Sequence, residues 1–282
     1  MFYWFFEAQT EPALKPIVIW LHGGPGCSSV AFGAAQEIGP FLVRRPSYFT
    51  NRLTFNEYSW NKFADVLFLE SPVSVGFSYT NNSNDLLEIG DQAVANDTLA
   101  FLLGWLKRFP DFKTHDFYII GEIYGGHYAP QLADLIYETK ELPKTRLSIS
   151  KDSCLKADCE DFKLPHTSSQ CNDQLKVFFD AFSGIDIFNV YSPVCILNFS
   201  ATATSSNLDD IGFQKPSTFD PCVNNYMRKY FNQKEVQRAL HANVTNLPYP
   251  YTPCSSQLTK WADSLATVLP TISKPLDAGM RI

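Results

Sequence analysis

Residues 116–138 constrain the fold more than any other stretch of this chain. An apolar, aromatic run over 116–121 (DFYIIG) meets the frame Gly121-Glu122-Ile123-Tyr124-Gly125, and amphipathic helical spacing continues over 124–138. A strand that turns directly into a helix demands a sheet with helices packed on its faces. Two further continuous apolar runs, 15–21 (KPIVIWL) and 64–70 (ADVLFLE), read as strands buried on both faces, and the aromatic residues 2–8 read as another. Residues 86–109 have helical periodicity, with Leu99, Leu102, Leu103 and Leu106 on one face, and end at Pro110. Strands alternating with helices imply a parallel α/β sheet.

The second half has a different texture. Residues 140–225 are richer in Cys, Ser, Asp and Asn, with helical patches near 170–182, and read as an inserted, disulfide-stabilised cap. The expected division is therefore a core over 1–139, a cap over 140–225 and a return to the core over 226–282. Helices are expected over 233–241 and 256–269, and residues 274–282 look like the approach to a further strand. No internal repeat or low-complexity tract occurs.

Seven cysteines without close CxxC pairs argue against a structural zinc site. Four glycosylation sequons begin at Asn81, Asn96, Asn198 and Asn243. Together they favour an oxidising, secretory compartment. Residues 1–7 (MFYWFFE) lack the basic flank and cleavage site of a signal peptide and read as a strand entered midway. The net charge of −6 disfavours nucleic acid as a partner, and no apolar run is long enough for a transmembrane helix.

Two glycine-rich turns carry the chemistry. The frame at 121–125 has the G-x-S-x-G spacing of a nucleophile elbow, the sharp strand-to-helix turn of α/β hydrolases, but Ile123 stands at the serine position. The loop His22-Gly23-Gly24-Pro25-Gly26-Cys27-Ser28-Ser29 follows a buried strand and can present backbone N–H groups to an oxyanion. A phosphate-binding reading fails, because neither a Walker lysine nor a G-x-G-x-x-G pattern is present.

Taken together, these stretches closely resemble the plant serine carboxypeptidases and serine carboxypeptidase-like proteins of peptidase family S10. The matching segments are 2–8, 20–29 (WLHGGPGCSS), 37–40 (EIGP), 70–79 (ESPVSVGFSY), 121–130 (GEIYGGHYAP), 191–195 (YSPVC), 220–222 (DPC) and 239–245 (ALHANVT). The resemblance implies an α/β-hydrolase fold and release of C-terminal residues from peptides by a Ser-Asp-His triad, with no cofactor or metal. It places the oxyanion amides at Gly24 and Tyr124. It places recognition of the substrate carboxylate at His22, Gly23, Glu37 and Glu122. Two neighbouring carboxyls do not both ionise cheaply, so one is expected to keep a proton and donate it to that carboxylate. The implied disulfides are Cys27–Cys254, Cys195–Cys222, and Cys171 with Cys159 or Cys154. Peptide C-termini are the implied ligands, homodimers are frequent in the family, and the implied location is secreted or vacuolar.

The departures matter as much. A branched hydrocarbon at 123 cannot attack a carbonyl, and His22 replaces the family's carboxylate-binding asparagine. His127 and His241 are expected to be structural rather than substitute bases. The family's aspartate and histidine would fall beyond residue 282, and no central strand is evident between 139 and 153. The expectation is a sheet truncated at its N-terminus, centre and C-terminus, poorly stable alone, and a chain that Ile123→Ser does not reactivate. Three readings follow: an incomplete relative of an active peptidase or acyltransferase, a non-catalytic peptide-binding homologue, or a non-functional remnant.

Overall fold

The computed structural model describes residues 1–44, 53–140, 145–149 and 220–277, together with a few single positions between 173 and 195. Five strands form one sheet: β1 (Tyr3–Phe6), β2 (Ile17–His22), β5 (Asp65–Leu69), β6 (Phe117–Glu122) and β7 (Thr145–Ile149), in the order β1-β5-β2-β6-β7. Only β1 runs antiparallel to its neighbour. A separate hairpin pairs β3 (Phe41–Val43) with β4 (Leu53–Phe55). The helices are α1 (Asp85–Glu88), α2 (Asp91–Arg108), α3 (Gly125–Thr139), α4 (Val223–Phe231), α5 (Lys234–Ala239) and α6 (Leu269–Asp277). No helix among the described residues is long and apolar enough to cross a membrane.

The apolar runs are explained by the two cores that the sheet separates. All six residues of β2 are buried. Successive side chains of a strand point to opposite faces. Thus Ile17, Ile19 and Leu21 enter one core with Leu102, Trp105, Leu132 and Ile136 of α2 and α3. Val18 and Trp20 enter the other with Val30, Ala34, Met227 and Phe231. The same division splits Leu67 and Leu69 from Val66 and Phe68 in β5. A strand with both faces covered must be apolar at every position, which is why no alternation shows in the sequence.

Several expectations change. Strand β7 is the strand after α3 that the sequence alone did not reveal: it pairs in parallel with β6, from Phe117↔Thr145 to Gly121↔Ile149, at the edge of the described sheet. Its sequence, TRLSI, lacks the continuous apolar character of the inner strands β2 and β5. Residues 145–149 thus extend the described sheet beyond β6. Residues 256–268 are irregular, not helical; Leu258 and Trp261 pack against the α2–α3 core from an extended segment. Residues 274–277 form the end of helix α6, with Lys274 bridging to Asp134 of α3 at 3.0 Å, and residues 278–282 lie outside the described residues. Most of the expected cap, including the helical patches near 170–182, lies outside the described residues.

Candidate functional site

The elbow keeps its shape without its serine. β6 ends at Glu122, α3 begins at Gly125, and between them Ile123 has φ 55°, in the left-handed region. Two glycines let the neighbouring backbones close on this turn. A Cβ at Gly23 would lie 2.1 Å from the Tyr124 amide nitrogen, and one at Gly125 would lie 2.2 Å from the Leu21 carbonyl oxygen. The 22–29 loop and the elbow are therefore in direct backbone contact. Gly24 is exposed at the mouth of this junction, and the Tyr124 amide sits beside Gly23.

The β2–β6 register sets His22 directly across from Glu122. The third member, Glu37, comes from the end of a π-helical segment, Val30–Glu37. Its wide turns are closed by bonds such as Ala34 N–H to the Ser29 carbonyl at 3.0 Å and Ile38 N–H to the Gly33 carbonyl at 2.9 Å. π-helical turns are rare and concentrate at functional sites. The Asn56 amide fixes the segment's end by donating to the Glu37 and Gly39 carbonyls, each at 2.9 Å. Ligand atoms of His22, Glu37 and Glu122 all lie within 4.8 Å of one another. Burial, reinforced by the charge and hydrogen bonding of Glu122, pushes the Glu37 carboxyl up to about 8. Burial opposes ionisation of Glu122 too, but His22 beside it and the proton offered by Glu37 hold it below the usual range. One proton is thus kept between two carboxyls, with Glu37 as its holder.

Two buried carboxylates brace the site from behind. Asp91, at the start of α2, accepts from Tyr124 Oη at 2.8 Å, Gln131 Nε2 at 2.8 Å, Trp261 Nε1 at 3.0 Å and the Leu265 amide at 3.2 Å. His127 Nδ1 lies 3.5 Å from it, and its ring stacks on Tyr124. Burial and Asp91 both push the Tyr124 phenol up, so this hydroxyl is an anchor and not a nucleophile. His127 is held in the same cluster, and His241 is exposed on a left-handed turn with φ 52°.

The second carboxyl is Glu70. It accepts from Ser28 Oγ at 2.5 Å, Tyr251 Oη at 3.0 Å and the Phe77 amide at 2.6 Å. Ser28 and Ser29 are consumed in this bracing, the latter accepting from the His22 amide at 2.9 Å. The Cys27–Cys254 disulfide ties the loop to the C-terminal half, flanked by Ser28 N–H to the Pro253 carbonyl and Ser255 N–H to the Gly26 carbonyl, both 2.8 Å. Cys195–Cys222 is also formed. The expected bond of Cys171 with Cys159 or Cys154 lies outside the described residues, as does Asn198. Asn81 and Asn96 are exposed, whereas Asn243 is half-buried and donates to Gln237 Oε1 at 3.0 Å.

Sequence reasoning missed Phe32, Asp91, Glu70 and Tyr251. The Phe32 ring stacks on His22 at 4.5 Å and 8°. Glu70 lies in a quoted motif but showed no role there, because its partners Ser28 and Tyr251 are remote in sequence. Asp91 looks like an ordinary helix-start acid until its partners are seen.

Comparison with known proteins closes the case. The profile of the serine carboxypeptidase family matches residues 1–149 and 143–282. Serine carboxypeptidase-like 35 of Arabidopsis thaliana is 42% identical, covering 100% of this chain and 67% of that protein. Serine carboxypeptidase-like 34 of the same plant is 40% identical over 100% of this chain and 66% of its own length. Serine carboxypeptidase-like 26 of Oryza sativa subsp. japonica is 39% identical, with coverage of 100% and 67%. The chain thus spans about two thirds of the length of these relatives. The crystal structure of Kex1(delta)p, a prohormone-processing carboxypeptidase from Saccharomyces cerevisiae, superposes with a TM-score of 0.65 at 21% identity, covering 99% of this chain and 66% of that one. That likeness carries the α/β-hydrolase fold, and with the profile and the plant relatives it establishes that the chain belongs to the serine carboxypeptidase family.

Proposed function

We propose that this chain is a non-hydrolysing member of its family that binds the C-terminal carboxylate of peptides, in a secreted or vacuolar setting. The observation that carries the reading is Ile123 on the elbow at φ 55°, beside an intact carboxyl pair, Glu37 and Glu122. Acyl transfer on this scaffold needs an oxygen nucleophile where the isoleucine stands, and a hydrocarbon supplies none. Carboxylate recognition needs only a donor for the incoming oxygens. The proton retained by Glu37 provides it, and Gly23 lies against the elbow at Tyr124. The two disulfides are consistent with an oxidising compartment.

Calorimetry with a blocked dipeptide and its C-terminal amide at acidic pH tests this reading. The expected result is saturable binding of the acid and at least about tenfold weaker binding of the amide, since replacing the carboxylate removes a charge-assisted hydrogen bond. Equal affinity for the two, or none for either, contradicts it.

A further inference from the structure

We infer that His22, Glu37 and Glu122 form a binding site for one divalent cation of the zinc class. The substitution of histidine for the family's asparagine creates this possibility, because it adds an imidazole nitrogen to two carboxylates. The His22 side chain is 4% exposed, so its nitrogen cannot turn to bulk water. Its Nδ1 lies 3.3 Å from Glu122 Oε2, and Nδ1, Glu122 Oε2 and Glu37 Oε2 are all buried with no hydrogen-bond partner among the described residues outside the trio itself. Buried polar atoms left in this state require an occupant, either a proton shared by the carboxyls or a cation coordinated by all three side chains.

Ligand chemistry selects the class of ion. One imidazole and two carboxylates suit zinc better than calcium or magnesium, which prefer oxygen-only shells. Ligand distances to zinc are about 2.0–2.2 Å, so atoms already within 4.8 Å of one another reach a common centre by small rotations of the two glutamates. The imidazole plane is held by its stack on Phe32. The Glu122 side chain is 29% exposed, which leaves an ion a route to the trio from solvent. Two carboxylates also balance the charge of a divalent ion. The inference goes beyond peptide binding and can be tested with no peptide present.

The test is calorimetric titration of zinc sulfate into the chelator-stripped full chain, with His22→Asn, Glu37→Gln and His241→Asn in parallel. One equivalent of zinc should bind, His22→Asn and Glu37→Gln should each weaken binding at least tenfold, and His241→Asn should leave it unchanged. His22→Asn carries the residue that the family resemblance assigns to this position. Unchanged thermal unfolding without metal confirms that it is folded; if it is not, Glu37→Gln together with cobalt d–d absorption of the unmodified chain decides the matter. No zinc uptake, or uptake equal in both trio variants and the parent, overturns the inference. So does weakening of binding by His241→Asn alone.

Discussion

At position 123 a β-branched side chain occupies backbone space that such residues avoid, since left-handed φ costs an L-residue about 1–2 kcal/mol. The turn sits in close backbone contact with its surroundings: a Cβ at Gly23 would meet the Tyr124 amide nitrogen and one at Gly125 the Leu21 carbonyl oxygen. The elbow geometry therefore belongs to the scaffold, not to the nucleophile. This separates backbone strain from side-chain burial. Of two truncations that both remove the isoleucine side chain, Ile123→Gly should be more stable than Ile123→Ala by about 1 kcal/mol, measured by denaturant unfolding. In ordinary helical or extended backbone the order would be reversed. Ile123 itself was legible in the sequence because a glycine frame surrounded it. The Phe32 stack on His22 was not, since a ring contact between the end of β2 and the start of the π-helical segment has no sequence signature.

The segments around the site are joined by long-range polar contacts. Residues 256–268 carry apolar side chains at helical spacing, yet the segment stays irregular and lays Leu258 and Trp261 on the core. The reason is Asp91, whose carboxylate captures Trp261 Nε1 and the Leu265 amide while also holding Tyr124 and Gln131. Burial opposes its ionisation, but His127, Gln131, Tyr124 and Trp261 together outweigh that and keep Asp91 below the ordinary carboxylate range. An asparagine offers one acceptor oxygen and turns an amide toward donors. Asp91→Asn should therefore lower stability by about 2–4 kcal/mol in urea unfolding, with Trp261 fluorescence reporting the release of its segment. A change below about 0.5 kcal/mol would show that the hub is dispensable. The inner strands β2, β5 and β6 were legible because burial on both faces forces a continuous apolar sequence. Strand β7 was hidden because its short, partly polar TRLSI lacks that signal and its place is set by pairing with β6.

Across the whole molecule, buried acids set how stability depends on pH. Glu70 is fully buried, and burial raises it from an ordinary 4.5 to about 7 despite its three hydrogen bonds. An acid raised in the folded state adds stability that is complete below the unfolded value of 4.5 and is lost as pH rises through about 7. Glu37, at about 8, acts in the same sense. Asp91 and Glu122 are lowered, so their contributions are lost on acidification below the ordinary carboxylate range. The melting temperature should peak near pH 5 and fall toward pH 8. Glu70→Gln should flatten that fall, because Glu70 alone accounts for up to about 3.5 kcal/mol at roughly 1.4 kcal/mol per unit. A melting temperature that rises from pH 5 to pH 8 would contradict this assignment.

The central claim is that the family's scaffold survives here around an elbow without chemistry. It is tested most directly by incubating the purified full chain with a blocked dipeptide at acidic pH and measuring release of the C-terminal amino acid. The account predicts no release above a protein-free control. Saturable hydrolysis that co-purifies with the chain and resists added inhibitors of contaminating metallopeptidases would contradict it.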